Sequence, residues 1–118
     1  TVERGGRIIY CAGALATAFE ALGGEVAYAG KPHLPIYRLA FEHIARLRGA
    51  PVAPSQVLAI GDGVLTDIAG AVAAGLDAVY VGSGVHLGAG GTLDAGVLEA
   101  IFAAAPGRPI AGMDALAW

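Results

Sequence analysis

The 118 residues are 56% apolar and carry a formal net charge of −3, enough hydrophobic material for the core of one small domain and no basic stripe to neutralise a nucleic-acid backbone. The single cysteine, Cys11, rules out an internal disulfide and fits a reducing, cytoplasmic setting. The longest uncharged stretch, Ala78 to Leu93, is broken by glycines and by His86, so no membrane span is expected.

The sequence begins at Thr1 without a basic and apolar signal segment, which reads as loss of something upstream. Leu15, Ala18, Phe19 and Leu22 recur at helical spacing ahead of a Gly23-Gly24 stop, predicting a helix over 13–22. A short strand is expected over 25–29. Pro32 and Pro35 open a second periodic run that ends at Gly49. Its core face would be Ile36, Leu39, Ala40, Ile44 and Leu47, with Arg38, Glu42, Arg46 and Arg48 towards water. Pro51 and Pro54 mark a loop. Val57-Leu58-Ala59-Ile60 is the continuous apolar run of a strand buried on both faces of a parallel sheet.

The Ala-rich stretch 66–74, stopped by Gly75, predicts another helix, and Ala78-Val79-Tyr80-Val81 a second buried strand. Gly82 to Gly91 reads as a loose loop. Thr92 or Asp94 caps a last helix through Ala104, and Pro106 and Pro109 close the pattern. Strands alternating with helices predict an α/β fold, a partial doubly wound parallel sheet with right-handed crossovers.

In such sheets ligands sit beyond the carboxyl ends of the strands. The segment Gly61-Asp62-Gly63-Val64-Leu65-Thr66-Asp67 falls there, and its carboxylates suit an oxygen-loving divalent ion such as Mg2+. Asp62 is the better-placed ligand. Asp67, in a first helical turn, either holds a neighbouring group by a hydrogen bond or complements the helix dipole. Lys31, the only lysine, sits between Gly30 and Pro32, where it is either a solvated charge or a cation for a phosphoryl group. His33 reads as a loop residue, His43 as structural, and Cys11 as a small buried hydrophobe. His86 is a candidate lining residue on the ligand side. Phe19, Phe41 and Phe102 fit core faces of helices. Neither a phosphate-cradling loop at 24–32 nor a dinucleotide fingerprint at 61–63 or 82–84 has its glycines in register.

Taken together, Lys31 and the Gly-Asp-x-x-x-Thr-Asp at a strand end resemble the third and fourth motifs of the haloacid dehalogenase-like superfamily. The resemblance is sharpest to its class IIA phosphatases, in which Gly-Lys-Pro precedes the helix leading to the Gly-Asp motif, as Gly30-Lys31-Pro32 does here. Cys11-Ala12-Gly13-Ala14-Leu15 with Glu20 looks like the end of that class's cap domain. The resemblance thus implies the end of a cap over 1–29 and the carboxyl-terminal half of a Rossmann-like core over 30–118. It implies hydrolysis of a small phosphorylated substrate through an aspartyl-phosphate with Mg2+. Asp62 would be the metal ligand and Asp67 a catalytic residue supporting the metal site. Lys31 would bridge the nucleophilic carboxylate and the phosphoryl oxygens, with Gly63 beside the substrate.

The family's nucleophile and general acid come from an Asp-x-Asp, and this sequence contains none. The expectation is therefore a fragment, inactive alone, with an open apolar sheet edge prone to self-association. The alternative is a non-catalytic α/β binding or interaction module in which Asp62 is a turn residue, Asp67 a cap and Lys31 solvated.

Overall fold

A computed structural model describes the backbone over 2–82 and 92–116, with side chains from residue 5. It opens on an antiparallel hairpin, β1 (Val2–Arg4) and β2 (Arg7–Ile9). The Gly5-Gly6 turn between them has φ of 59° and 71°, the left-handed conformation that a two-residue hairpin requires at both positions. Helix α1 (Ala12–Ala21) follows, and its carboxyl end is closed by Gly23 and Gly24, whose N–H groups donate to the carbonyls of Glu20 and Phe19.

Residues 25–29 form no strand. Their exposure alternates as a strand's does, with Val26 and Tyr28 half-buried between exposed neighbours. No ladder partner lies alongside among the described residues, and a strand exists only by pairing. Helix α2 (Leu34–Arg48) stops at Gly49, which has φ 72°. The face of α2 that turns inward differs from the expected one. Tyr37, Phe41, Ile44 and Ala45 are half-buried, while Leu39 and Leu47 are 47% and 87% exposed.

Strand β3 (Leu58–Gly61) leads through a π-helical turn (Val64–Ile68) into α3 (Ala69–Ala73) and β4 (Asp77–Val81). The helix expected over 66–74 thus starts earlier and widens in its first turn. Helix α4 (Ala95–Phe102) is capped by Asp94, whose Oδ1 accepts from the Val97 N–H at 2.8 Å. The chain then returns as β5 (Ala111–Met113), a strand the sequence reading did not contain. The three strands form a parallel sheet in the order β3-β4-β5, with Gly61 opposite Tyr80 and Tyr80 opposite Gly112. This is the expected mixed α/β architecture, a partial Rossmann-like sheet.

One face of this sheet carries the core. Ala78 and Tyr80 project from β4 onto Val64, Ile68, Ala71, Leu76 and Phe102, and the rings of Tyr80 and Phe102 meet edge to face at 5.2 Å. At Gly112, where β5 passes α4, a side chain would press on the ends of the Leu93 and Leu98 side chains. On the opposite face Leu58 and Ile60 of β3 are 50% and 48% exposed. The strand expected to be buried on both faces is therefore covered on one only. The radius of gyration, 16.3 Å, exceeds the roughly 13.5 Å of a closed domain of this length, as expected when apolar faces stay open. Among the described residues no helix is long and apolar enough to cross a membrane.

Candidate active site

The site is built where β3 ends. At Gly61 the chain leaves the sheet, passes Asp62 and Gly63, and turns so tightly that the N–H groups of Thr66, Asp67 and Ile68 all point at the Gly63 carbonyl, at 3.3, 2.8 and 3.0 Å. This bonding pattern, one residue wider than an α-turn, rotates Asp67 back over the loop. Its Oδ2 accepts from the Gly63 N–H at 3.0 Å. Glycine is needed at both flanks for this reason. A Cβ on Gly61 would collide with the Asp67 carboxylate, and one on Gly63 with the Thr66 hydroxyl and Asp67 Oδ2.

The other Asp67 oxygen is taken by Lys31. Lys31 Nζ donates to Asp67 Oδ1 at 2.5 Å, joining segments 36 residues apart. The Lys31 side chain is 53% exposed and that of Asp67 only 15%. The hydrogen bond to Asp67 holds the lysine ammonium above its usual value of 10.5, against partial burial acting the other way. So Lys31 is not a free surface charge, and Asp67 holds neighbours by hydrogen bonds rather than facing its helix dipole unpaired. Asp62 is exposed and makes no ion pair among the described residues. No group of three His, Cys, Asp or Glu side chains able to hold a metal occurs among the described residues. The structure therefore brings together Lys31, Asp67 and Gly63, with Asp62 at the adjoining strand end.

Lys31 also lies at the edge of a 430 Å³ cleft, lined by Ala12, Gly13 and Ala16 of α1, by the extended segment 26–30 and by His33. His33 precedes the first turn of α2 and stacks on Tyr28 with ring centroids 4.7 Å apart, so it is a wall of the cleft rather than a free loop residue. Tyr28 is in turn fixed by its hydroxyl, which donates to Glu20 at 2.9 Å. His43, read from the sequence as structural, is exposed and contacts Arg46 on the same helix. Cys11 is exposed at the start of α1. Phe19 is 54% exposed. Neither is the buried hydrophobe expected, because α1 has no covering layer among the described residues. His86 and most of the Gly82–Gly91 loop lie outside the described residues.

Sequence reading missed Tyr37 and Gly70. The Tyr37 hydroxyl reaches the backbone carbonyls of Thr66 and Asp67 at 3.5 and 3.4 Å, and Gly70 leaves room for it. Tyr37 is offset by one position from the apolar face chosen on α2, and only the preference of buried tyrosines for a polar partner marks it out.

The arrangement of a parallel strand, a glycine-flanked carboxylate, and a lysine brought to the strand end from the turn ahead of α2 defines a class. Residues 28–96 match the HAD-hydrolase-like family model, and the chain belongs to that haloacid dehalogenase-like family. A haloacid dehalogenase-like hydrolase from Brucella suis is 45% identical over 98% of this chain, with a TM-score of 0.71. A glycerol phosphate phosphatase from Mycobacterium tuberculosis, determined in complex with magnesium, is 33% identical over 86% of the chain, with a TM-score of 0.56. A p-nitrophenyl phosphatase from Archaeoglobus fulgidus shares the fold, with a TM-score of 0.63 at 23% identity over 87% of the chain. The chain spans 41%, 26% and 35% of these proteins' lengths respectively. No curated protein matches it.

Proposed function

We propose that the whole protein to which these residues contribute hydrolyses a small phosphomonoester, with Lys31, Asp62 and Asp67 as this chain's share of the active site and the nucleophile supplied from outside these 118 residues. The observation that carries the proposal is the 2.5 Å Lys31–Asp67 pair anchored on the Gly63 N–H at the end of β3. A surface lysine gains little from such a pair in water. A lysine that must stay cationic in front of a phosphoryl group gains a defined position and a raised proton affinity.

In this reading a carboxylate supplied from outside these residues forms a bond to phosphorus while the phosphorus–oxygen bond to the leaving alcohol breaks, and the alcohol takes a proton from an acid supplied in the same way. Water then attacks the acyl phosphate, returning the carboxylate and releasing inorganic phosphate. Lys31 compensates the charge on the transferred oxygens in both steps. Asp67 keeps Lys31 protonated and aimed, and the Gly63 loop borders the phosphoryl group. Mg2+ fits the donor set as a shared ion. It takes one or two carboxylates together with waters and phosphate oxygens, and Asp62 offers one exposed carboxylate. When bound, the ion neutralises charge on the phosphoryl group.

The division into a cap end over 1–29 and a core over 30–118, and a cytoplasmic setting, belong to the same proposal.

The test is p-nitrophenyl phosphate hydrolysis by the intact gene product, with and without Mg2+. Turnover should require Mg2+ and fall by about 100-fold or more in Lys31→Ala and Asp62→Asn. The isolated 118 residues should show none. Activity of the isolated chain that survives Asp62→Asn would overturn the proposal, as would an intact protein inert in all conditions.

A further inference from the structure

The Lys31–Asp67 pair does not explain its own geometry. Lysine loses much side-chain freedom when held, and an ion pair half open to water returns about 1 kcal/mol or less. Something else must fix the two backbone segments at the right separation. They meet at Gly70 of α3, where a Cβ would enter the Tyr37 hydroxyl and come within 2.8 Å of Pro32 Cα. Pro32 is the residue after Lys31, so the missing side chain at Gly70 lets the Lys31 turn approach the helix that follows Asp67.

Tyr37 closes the same junction from above. Its ring is half-buried against the core cluster. Its hydroxyl shares one proton between the carbonyls of Thr66 and Asp67, at 3.5 and 3.4 Å, both at the long end of hydrogen-bond geometry. These carbonyls belong to the π-turn, whose wider bonding disturbs the regular ladder. Burial, then the Asp67 charge, pushes the phenol above its ordinary value of 10.0, so it remains a donor at neutral pH.

We infer that Tyr37 is a positioning residue: seated over Gly70, it clamps the Lys31-Pro32 turn ahead of α2 to the π-turn and so sets the distance from Lys31 to Asp67. The catalytic meaning of the clamp rests on the phosphatase reading, but the clamp itself does not.

Lys31 is the only lysine of these 118 residues, so its reactivity can be read on the one peptide that holds it. An amine-acetylating N-hydroxysuccinimide ester is reacted with the intact gene product, and the acetylation rate is followed on the peptide that holds Lys31 across a pH series. Acylation needs the neutral amine free of its carboxylate partner, so pairing slows it. Asp67→Asn sets the fully released rate. Tyr37→Phe, which keeps the ring, and Gly70→Ala should each accelerate Lys31 by about two- to tenfold, the range one hydrogen bond spans. Phe41→Leu, one turn further along α2 on the same packed face, should leave the rate unchanged although it too weakens the core.

Wild-type rates in both Tyr37→Phe and Gly70→Ala beside a fast Asp67→Asn would overturn the clamp. So would equal acceleration by Phe41→Leu, which would make any loosening of α2 sufficient, or an Asp67→Asn rate equal to wild type. Loss of the phosphatase reading would appear separately, as an intact protein without turnover whose Lys31 reactivity still responds to Tyr37.

Discussion

Phe102 and Phe19 are the same side chain in two parts of one molecule, and they are 2% and 54% exposed. Their neighbourhoods differ in the same way. Every buried residue among those described lies between Val64 and Gly107, where the π-turn, β4, α4 and β5 close on one another around Tyr80. Before Val64, helices α1 and α2 present apolar faces that find only partial cover, with Leu15, Leu22 and Leu47 69%, 86% and 87% exposed. Both regions have periodic apolar sequences. What separates them is whether long-range partners stand opposite, and hydrophobic stabilisation follows area removed from water rather than composition.

The contrast breaks most directly at its two phenylalanines. Phe102→Ala should cost about 3–5 kcal/mol of unfolding free energy, and Phe19→Ala should stay within about 1 kcal/mol. Urea melts of both variants decide it, and equal losses would mean that α1 is packed as firmly as α4.

A smaller effect, of opposite sign, is expected at the centre of the packed region. The Tyr80 hydroxyl is fully buried and has no hydrogen-bond partner among the described residues, a burden of about 1–3 kcal/mol. Tyr80→Phe should therefore stabilise the fold by about 1 kcal/mol at neutral pH. Burial, then the charge of Asp62, raises the phenol above its ordinary 10.0. The folded state thus keeps a proton that the unfolded chain gives up, and this contribution is present below pH 10 and lost as pH rises through the folded value. The advantage of Tyr80→Phe should widen above pH 10 in melts run across that range. A destabilised variant would reveal a partner for the hydroxyl.

The least change in stability is expected on the uncovered face. Replacing Leu58 and Ile60 together by Ser should shift unfolding by about 0.5 kcal/mol or less, yet reduce any concentration-dependent self-association seen by sedimentation. An unchanged sedimentation profile from an associating wild type would place the contact elsewhere.

Much of the packed region could be read from residues alone, and the reason is local. Asp94 ahead of Val97, Leu98, Ile101 and Phe102 announces α4 and its cap, and Ala78–Val81 announces β4, because the capping hydrogen bond and the continuous apolar run need only near neighbours to be recognised. Strand β5 was hidden between Pro109 and the end of the chain, since three residues with a central Gly112 become a strand only by pairing with β4. The only local signal for the hairpin is Gly5-Gly6, because the three-residue runs on either side do not alternate. Conversely 25–29 has a strand's composition and lacks the neighbour. In the site, Lys31, Asp62 and Asp67 could be picked out because their spacing relative to a strand end carries chemistry. Tyr37 could not, because its partners lie 29 and 30 residues away and its position falls off the apolar stripe chosen on α2.

The π-turn has a consequence for the length of the gene itself. Such a turn is a helix holding one residue more than it needs. With Leu65 deleted, Val64 through Ala73 could run as an unbroken α-helix, still with enough small and apolar residues to meet β4. Each residue in a helix turns the chain by about 100°, so the same deletion would swing Asp67 away from Gly63 and Lys31. The surplus residue, Leu65, is itself 66% exposed. It is spacing kept for the carboxylate, and a frame-preserving loss of one codon there would separate the two roles of this segment, leaving the fold and removing the site.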